Sequence, residues 1–163
     1  MTIVQAAVSS LVEAHTPWRA DWLWGCPLIV LTVVIHVLGL GLLSQRAILM
    51  CDDVFKRRPM VTFATVIGAT TLLATILHAI EVGIWALAYC AIGALPNFKS
   101  AMLFSLGAMT TYGHENLYLE EYWRLMGGME ALNGWLLFGL STAFLFWLIQ
   151  EALPKSRPAH DVR

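Results

Sequence analysis

The chain has 163 residues, of which 58% are hydrophobic and only 13% are charged, and its mean hydropathy is +0.68. So few charges could not cover the surface of a water-soluble domain of this length, and disordered chains have the opposite composition. The composition therefore predicts an integral membrane protein and argues against a soluble enzyme. The net charge is −1, and the ten Lys and Arg form neither a basic tract nor a basic stripe interleaved with aromatic residues, so we expect no nucleic-acid partner.

The N-terminal segment, residues 1–21, is expected to lie outside the membrane without being cleaved. It has no basic region, and Glu13 and His15 interrupt what would be the apolar part of a signal peptide. The three cysteines, Cys26, Cys51 and Cys90, follow neither a CxxC pattern nor the spacing of a metal site. We interpret them as ordinary helix and loop cysteines.

Three long apolar stretches, residues 24–43, 61–95 and 125–149, are each long enough to cross a membrane as a helix. A fourth apolar stretch, residues 100–109, would rise only about 15 Å as a helix, which is half of a bilayer. That length suits a re-entrant helix, and Asn97 or Ser100 could cap its N-terminus. The predicted fold class is an all-α integral membrane protein with three transmembrane helices, a re-entrant helix and a loop that follows it.

The basic residues predict the orientation of these helices, because cytoplasmic loops are enriched in Lys and Arg. Most of them fall into two groups, one between the first two spans and one after the third: Arg46, Lys56, Arg57 and Arg58, then Lys155, Arg157 and Arg163. Both groups face the cytoplasm if residues 100–109 dip into the membrane and return. We therefore expect the N-terminus outside, the C-terminus in the cytoplasm, and a location in the plasma membrane, which is the inner membrane in a bacterium.

The segment after the short apolar stretch carries the most informative residues, which read FSLGAMTTYGHENLY over 104–118. Non-helical backbone at membrane depth is tolerated only where it is buried in protein or lines a water-filled cavity. The short helix would end at Thr110 and point the negative end of its dipole toward the membrane centre, where it would favour a cation. This loop is therefore the candidate functional site.

The same stretch resembles the pore loop of the tetrameric potassium-channel superfamily, in which a pore helix is followed by TVGYGD or TLGYGD. Aligned without gaps, Thr111 takes the filter threonine, Gly113 the first glycine and Glu115 the second glycine. Tyr112 takes the hydrophobic position of the family, His114 the tyrosine and Asn116 the aspartate.

The following helix supports the resemblance. Gly134 stands where such channels carry a hinge glycine, and residues 138–143 resemble their inner helix. The implied pore domain is 59–153, with a pore helix at 98–109, a filter at 110–116 and an inner helix at 124–153. Before it lie the segment 1–21 and, at 22–58, an additional transmembrane helix with its cytoplasmic basic loop; a cytoplasmic tail follows at 154–163. Gly134 and Gly139 are candidate gating hinges, with helix packing as the alternative for both.

The resemblance implies a homotetramer that conducts cations passively, because one half-helix and loop cannot enclose a pore. The partners would be further copies of the chain, the lipid bilayer and the permeant cations K⁺, Na⁺ and Ca²⁺, with no covalent cofactor. The implied selectivity filter is Thr110, Thr111, Tyr112, Gly113, His114, Glu115 and Asn116. Glu120 and Glu121 would line an outer vestibule that concentrates cations, with a solvated acidic loop as the alternative.

Glu115 is the main departure from the family pattern. A non-glycine residue at positive φ costs about 1–3 kcal/mol, so we expect the upper filter not to adopt the potassium-selective form. Four Glu115 carboxylates in a ring would favour a bound cation, and hard divalent ions suit such oxygen-rich sites. Thr111 is the second candidate metal contact. His114 would add a pH-sensitive ring to the pore or pack behind the loop.

Two further acidic residues, Glu81 and Glu130, lie inside the second and third spans, where a carboxyl group is expensive and normally paired. We expect at least one of them to form a hydrogen bond to the back of the filter. The alternative is that they only pair with helix neighbours such as His78, three residues before Glu81.

Two other functions remain open. One is a pore-loop relic that no longer conducts and serves as an assembly partner. The other is a haem or redox protein that uses His36 and His78. Counted from the inner ends of their apolar stretches, these histidines would lie about 12 Å and about 27 Å deep, too far apart to bind one iron. The sequence contains no nucleophile and base at a spacing that would indicate an enzyme.

Overall fold

The computed structural model describes the backbone of residues 3–54, 59–113 and 117–152, and the side chains of residues 19–45, 60–113 and 117–151. Its helices are α1 (Ile3–Val54), α2 (Pro59–Ala91), α3 (Phe98–Met109) and α4 (Arg124–Ala152), with a 3-10 turn at Glu121–Trp123 before α4. The described residues include no strand. The predicted all-α class is therefore confirmed.

Three of these helices are long and apolar enough to cross a membrane. The segments concerned are Arg19–Gln45, Met60–Ala91 and Glu121–Glu151, and the shorter apolar helix is Phe98–Met109. The predicted number of long apolar helices and the separate short helix are therefore confirmed. Large apolar side chains remain exposed on each of the four helices, as expected for surfaces that meet lipid or further protein; examples are Leu23, Val37, Leu72, Leu106 and Trp135.

The first helix is longer than its apolar stretch predicts. It begins at Ile3 and ends at Val54, so that it includes most of the segment 1–21 and continues past the apolar residues 24–43 toward the basic loop. The apolar stretch marks only the part of this helix that suits lipid. The position of an α1 residue relative to α2 must therefore be counted from the ends of the helix and not from the ends of the apolar stretch.

The second helix ends earlier than the apolar run 61–95 because Gly93 stops it. Gly93 has φ +72°, its amide donates to Cys90, and the amide of Ala94 donates to the carbonyl of Tyr89. This pair of hydrogen bonds with a left-handed glycine is the Schellman C-cap. Ala94 and Leu95 are buried beyond it, so the chain turns back without leaving the apolar core.

The short helix α3 lies against α2 and α4. Asn97 is its N-cap, and the Asn97 side chain accepts a hydrogen bond from the backbone amide of Ser100 at 2.9 Å. One of the two predicted caps is therefore confirmed. At the other end of the helix, Met109 is buried against Gly134, which lies about 15 Å along α4 from Arg124.

Candidate functional site

The loop that follows α3 begins with a set of hydrogen bonds that close the end of the helix. The Thr110 amide and hydroxyl both donate to the Leu106 carbonyl, at 3.1 and 2.6 Å. The Thr111 amide donates to Ala108, and the Gly113 amide donates to Gly107. The carbonyls of Leu106, Gly107 and Ala108 in the last turn are therefore occupied by donors from the loop itself.

Two residues of this loop have left-handed backbone. Gly113 has φ +78°, which glycine adopts at no steric cost, whereas Thr111 has φ +56°. A β-branched residue in this region costs about 1–2 kcal/mol. The loop therefore holds strain at Thr111, the residue that the sequence interpretation assigns to the filter threonine.

Residues 110–113 are exposed on the single chain, and Tyr112 is 90% exposed. His114, Glu115 and Asn116 lie outside the described residues, so the expectation for the Glu115 backbone stays a prediction. On the return path, Leu119 is buried, and Glu120 and Glu121 are exposed just before α4.

A buried polar group lies directly behind α3. The Glu130 carboxylate in α4 accepts a hydrogen bond of 2.8 Å from the Tyr89 hydroxyl and a second one from the Ser105 hydroxyl of α3. Ser105 Oγ also lies 2.9 Å from the Val82 carbonyl of α2. All of these side chains are buried, so Glu130 joins α2, α3 and α4 through Ser105 in α3, and none of its described contacts is with the loop backbone.

The second intramembrane carboxyl group, Glu81, has different neighbours. Glu81 Oε1 lies 2.8 Å from His36 Nδ1, and Glu81 Oε2 lies 3.2 Å from His78 Nδ1. Ser141 Oγ in α4 lies 3.0 Å from the Nε2 atom of each histidine. We call His36, His78, Glu81 and Ser141 the histidine–glutamate cluster. The described side-chain contacts of Glu81 are with His36 and His78, so Glu81 pairs with helix neighbours, as the alternative given in the sequence analysis expects. None of them is with the loop after α3.

The separation in depth that the sequence analysis gives for His36 and His78 is wrong. Their ring centroids are 4.9 Å apart. The error arises because α1 continues as a helix to Val54, about 15 Å beyond the assumed inner boundary at Ser44. Measured from Val54 and from Met60, both histidines lie about 27 Å along their helices.

The rings of the two histidines also do not face each other across a space for a porphyrin. Their nitrogen atoms meet the same carboxylate on one side and the same hydroxyl on the other. A bis-histidine haem needs two nitrogen atoms on opposite sides of one iron. The orientation of the ring nitrogen atoms therefore disfavours a haem between His36 and His78, although the two residues are close together.

Two more buried polar contacts tie α1 to α4. Asn133 donates a 2.8 Å hydrogen bond to the Thr32 hydroxyl, one turn before His36. Asp21 is also buried, and its carboxylate lies close to the Met126 backbone in the first turn of α4. A carboxylate at a helix N-terminus is favourable because it meets free amides and the positive end of the dipole.

Several members of these groups do not stand out in the sequence. They are Thr32, His36 as a partner of Glu81, Tyr89, Ser105, Asn133 and Ser141. Their common signal is that polar side chains inside apolar spans are normally paired. Which of these side chains pair depends on how the helices are rotated relative to one another. The spacing of residues along each separate helix does not give that rotation.

The two candidate hinge glycines have different surroundings. A Cβ atom on Gly134 would lie 2.9 Å from the Met109 carbonyl carbon, whereas nothing lies within 4 Å of the corresponding position on Gly139. Gly134 therefore lets α3 approach α4 closely, which gives it a packing role. Gly139 is exposed on the single chain.

Comparisons with protein-family models, with curated proteins and with solved structures found no match to this chain. Function is therefore inferred from the residues and their geometry.

Proposed function

We propose that this chain is the pore-forming subunit of a homotetrameric pore-loop cation channel that conducts ions passively. The observation that carries the proposal is the position of α3, which returns between α2 and α4 and ends at Met109 against Gly134. Gly134 lies about 15 Å along α4, close to half the thickness of the hydrocarbon core. On this reading α3 is the re-entrant pore helix.

The loop after α3 then lies at membrane depth. Irregular backbone at that depth requires a protein-lined or water-filled environment, yet Thr111, Tyr112 and Gly113 are exposed on the single chain. Further copies of the chain around a common axis would provide the missing environment. The potassium-channel resemblance makes their number four.

The buried polar groups support the same function. Ionisable side chains inside a membrane are rare and mark ion pathways or the structures that hold them. Glu130 is bonded to Ser105 in α3 and to Tyr89 in α2, so it fixes the proposed pore helix in place. The strained Thr111 backbone is a further sign of a functional loop, because such residues cluster at ligand-contacting sites.

We infer altered selectivity from Glu115, which replaces the second filter glycine. A ring of four carboxylates would favour divalent cations or discriminate weakly between K⁺ and Na⁺. Glu120 and Glu121, both exposed before α4, would raise the cation concentration at the pore mouth.

The deciding measurement is the reversal potential of the purified protein in planar bilayers, first under a K⁺/Na⁺ gradient and then under a K⁺/Ca²⁺ gradient. We expect a reversal near zero for K⁺/Na⁺, or one that follows Ca²⁺. The Glu115→Gln variant should shift it. The matched control is Glu151→Gln, the same substitution at the far end of α4, which should leave the reversal potential unchanged.

Each other outcome removes part of the proposal. A wild-type reversal at the K⁺ equilibrium potential would show a potassium-selective filter in spite of Glu115. Absence of current from folded tetramers would favour the relic that serves as an assembly partner. A shift in Glu151→Gln equal to that in Glu115→Gln would place selectivity outside the loop.

A further inference from the structure

We propose that His36, His78 and Glu81 form a binding site for a late first-row divalent metal ion such as Zn²⁺, in the membrane-embedded core between α1, α2 and α4. This site is separate from the pore loop. It requires no conduction, and its test does not measure conduction.

The candidate ligand atoms of His36, His78 and Glu81 lie close together. One nitrogen from each histidine and one carboxylate oxygen all lie within 4.8 Å of one another. His36 Nδ1 lies 2.8 Å from Glu81 Oε1, and His78 Nδ1 lies 3.2 Å from the other carboxylate oxygen, Oε2. Tetrahedral Zn²⁺ with bonds of about 2.0–2.1 Å holds its ligand atoms about 3.3–3.5 Å apart. An ion would therefore draw ligand atoms that are at most 4.8 Å apart to this spacing, a movement of no more than about 1.5 Å.

Two of the ligand atoms lack a hydrogen bond of good geometry. His78 Nδ1 and Glu81 Oε2 are buried and have no hydrogen-bond partner, although they are 3.2 Å apart. Glu81 is fully buried, and the His78 ring is held in place by stacking on Phe138 at a centroid distance of 4.5 Å. Buried polar atoms are normally satisfied, so this pair has the arrangement of two ligands facing a shared partner.

The Ser141 hydroxyl is placed to support metal-ligating histidines. When both Nδ1 atoms bind a metal, both Nε2 atoms carry protons, and the two lone pairs of Ser141 Oγ accept one from each, as the two distances of 3.0 Å allow. Without a metal, His36 can donate to Glu81, Ser141 to His36 and His78 to Ser141, which leaves His78 Nδ1 without a proton facing Glu81 Oε2. A cation bound to these two atoms would satisfy both. Metal-ligating histidines commonly give their second proton to such an oriented acceptor.

The ligand set selects the class of metal. Two imidazoles and one carboxylate suit Zn²⁺, Co²⁺ and Ni²⁺ better than the hard ions Mg²⁺ and Ca²⁺, which prefer oxygen ligands only. Three protein ligands leave a fourth position for water or another small ligand. Because His36 lies in α1 whereas His78 and Glu81 lie in α2, a bound ion would crosslink these two helices.

The test is a titration of Co²⁺ into detergent-purified protein that carries a tag without histidines and has been stripped with a chelator. We expect visible d–d absorption of a tetrahedral ion that saturates at one Co²⁺ per chain and disappears when Zn²⁺ is added. His36→Gln and Glu81→Gln should abolish the absorption. Ser141→Ala should weaken affinity by about 10–100-fold, the usual effect of removing a partner of a ligating histidine. His114→Gln, in the proposed filter, should bind as tightly as the wild type.

A folded wild type without saturable absorption would overturn the proposal, as would loss of binding in His114→Gln with retention in His36→Gln. Because His36→Gln could fail to fold, His36→Cys is the second variant. A thiolate in place of the imidazole should add an intense Co²⁺–sulfur charge-transfer band. A folded His36→Cys protein that binds Co²⁺ without this band would also overturn the proposal.

Discussion

The Tyr89 hydroxyl donates a hydrogen bond of 2.8 Å to Glu130 Oε2, and both side chains are completely buried. This bond joins α2 to α4 behind α3, and Ser105 of α3 donates to the other carboxylate oxygen. The short helix is therefore held by a polar connection as well as by the apolar packing of Phe104 against Tyr89. Hydrogen bonds of this kind are directional, so they restrict the rotation of each helix more strictly than apolar contacts alone.

Tyr89→Phe should lower stability without creating a cavity. The variant keeps the ring but leaves Glu130 Oε2 without its donor, which should cost about 1–2 kcal/mol. Denaturant unfolding of the protein in detergent measures the change. Tyr122→Phe, at an exposed ring, is the control and should change stability little. Equal effects of the two variants would contradict the role given to the Tyr89–Glu130 bond.

Gly134→Ala should displace α3. Its Cβ atom would lie 2.9 Å from the carbonyl carbon of Met109 and 2.7 Å from Met109 Cγ, and the backbone cannot move aside as a flexible side chain can. We expect a loss of at least about 1–3 kcal/mol, typical of overpacking. Gly128→Ala, in the same helix with nothing within 4 Å, should instead gain up to about 1 kcal/mol from helix propensity. A Gly134→Ala protein as stable as Gly128→Ala would show that the two helices do not approach so closely.

Thr111→Gly should stabilise the protein, because glycine removes the strain of φ +56°. The strain of about 1–2 kcal/mol is partly offset by the greater freedom of glycine in the unfolded chain, so the net gain should be about 1 kcal/mol. Thr110→Gly is the matched control. Thr110 has φ −87° and its hydroxyl bonds to Leu106, so this variant should lose stability. The two neighbouring substitutions should therefore move the thermal midpoint in opposite directions, and movement in the same direction would contradict the described loop backbone.

Asn97→Ala should weaken the start of α3. The Asn97 side chain accepts from the Ser100 amide, and removing an N-cap costs about 1 kcal/mol. Asn97→Ser keeps a capping oxygen and should retain most of the stability. Hydrogen exchange of the first-turn amides of α3 should rise in the alanine variant and stay near wild type in the serine variant. Unchanged exchange in both would show that another group caps the helix.

The number and type of helices could be predicted because each depends on residues close together in the chain. A continuous apolar stretch marks a span, Asn97 or Ser100 marks the start of the short helix, and the ten residues 100–109 are too few to cross. The bounds of α1 could not be predicted in this way. Its ends continue beyond the apolar residues as helix, and the apolar pattern reports suitability for lipid rather than helix length.

The candidate sites were only partly predictable for a related reason. Glu81 and Glu130 stand out in the sequence because a carboxyl group in an apolar span needs a partner, but the identity of the partner depends on the offset and rotation between helices. An error of ten residues in the end of α1 displaced His36 by about 15 Å and separated it from His78. Ser105 and Ser141 carry no charge, so neither stands out in its span until the packing is known.

The contact between His36 and Ser141 joins residues that are 105 positions apart in the chain. Helices that enter the membrane in the order of synthesis bring His36 to Glu81 as soon as α1 and α2 pair, long before α4 has been made. The hairpin of the first two helices can therefore give its buried carboxylate a hydrogen-bond partner early. Ser141 completes the arrangement only when α4 arrives, so a helix synthesised after α1 and α2 meets a polar surface that is already formed, and its packing fixes α3 in the same step.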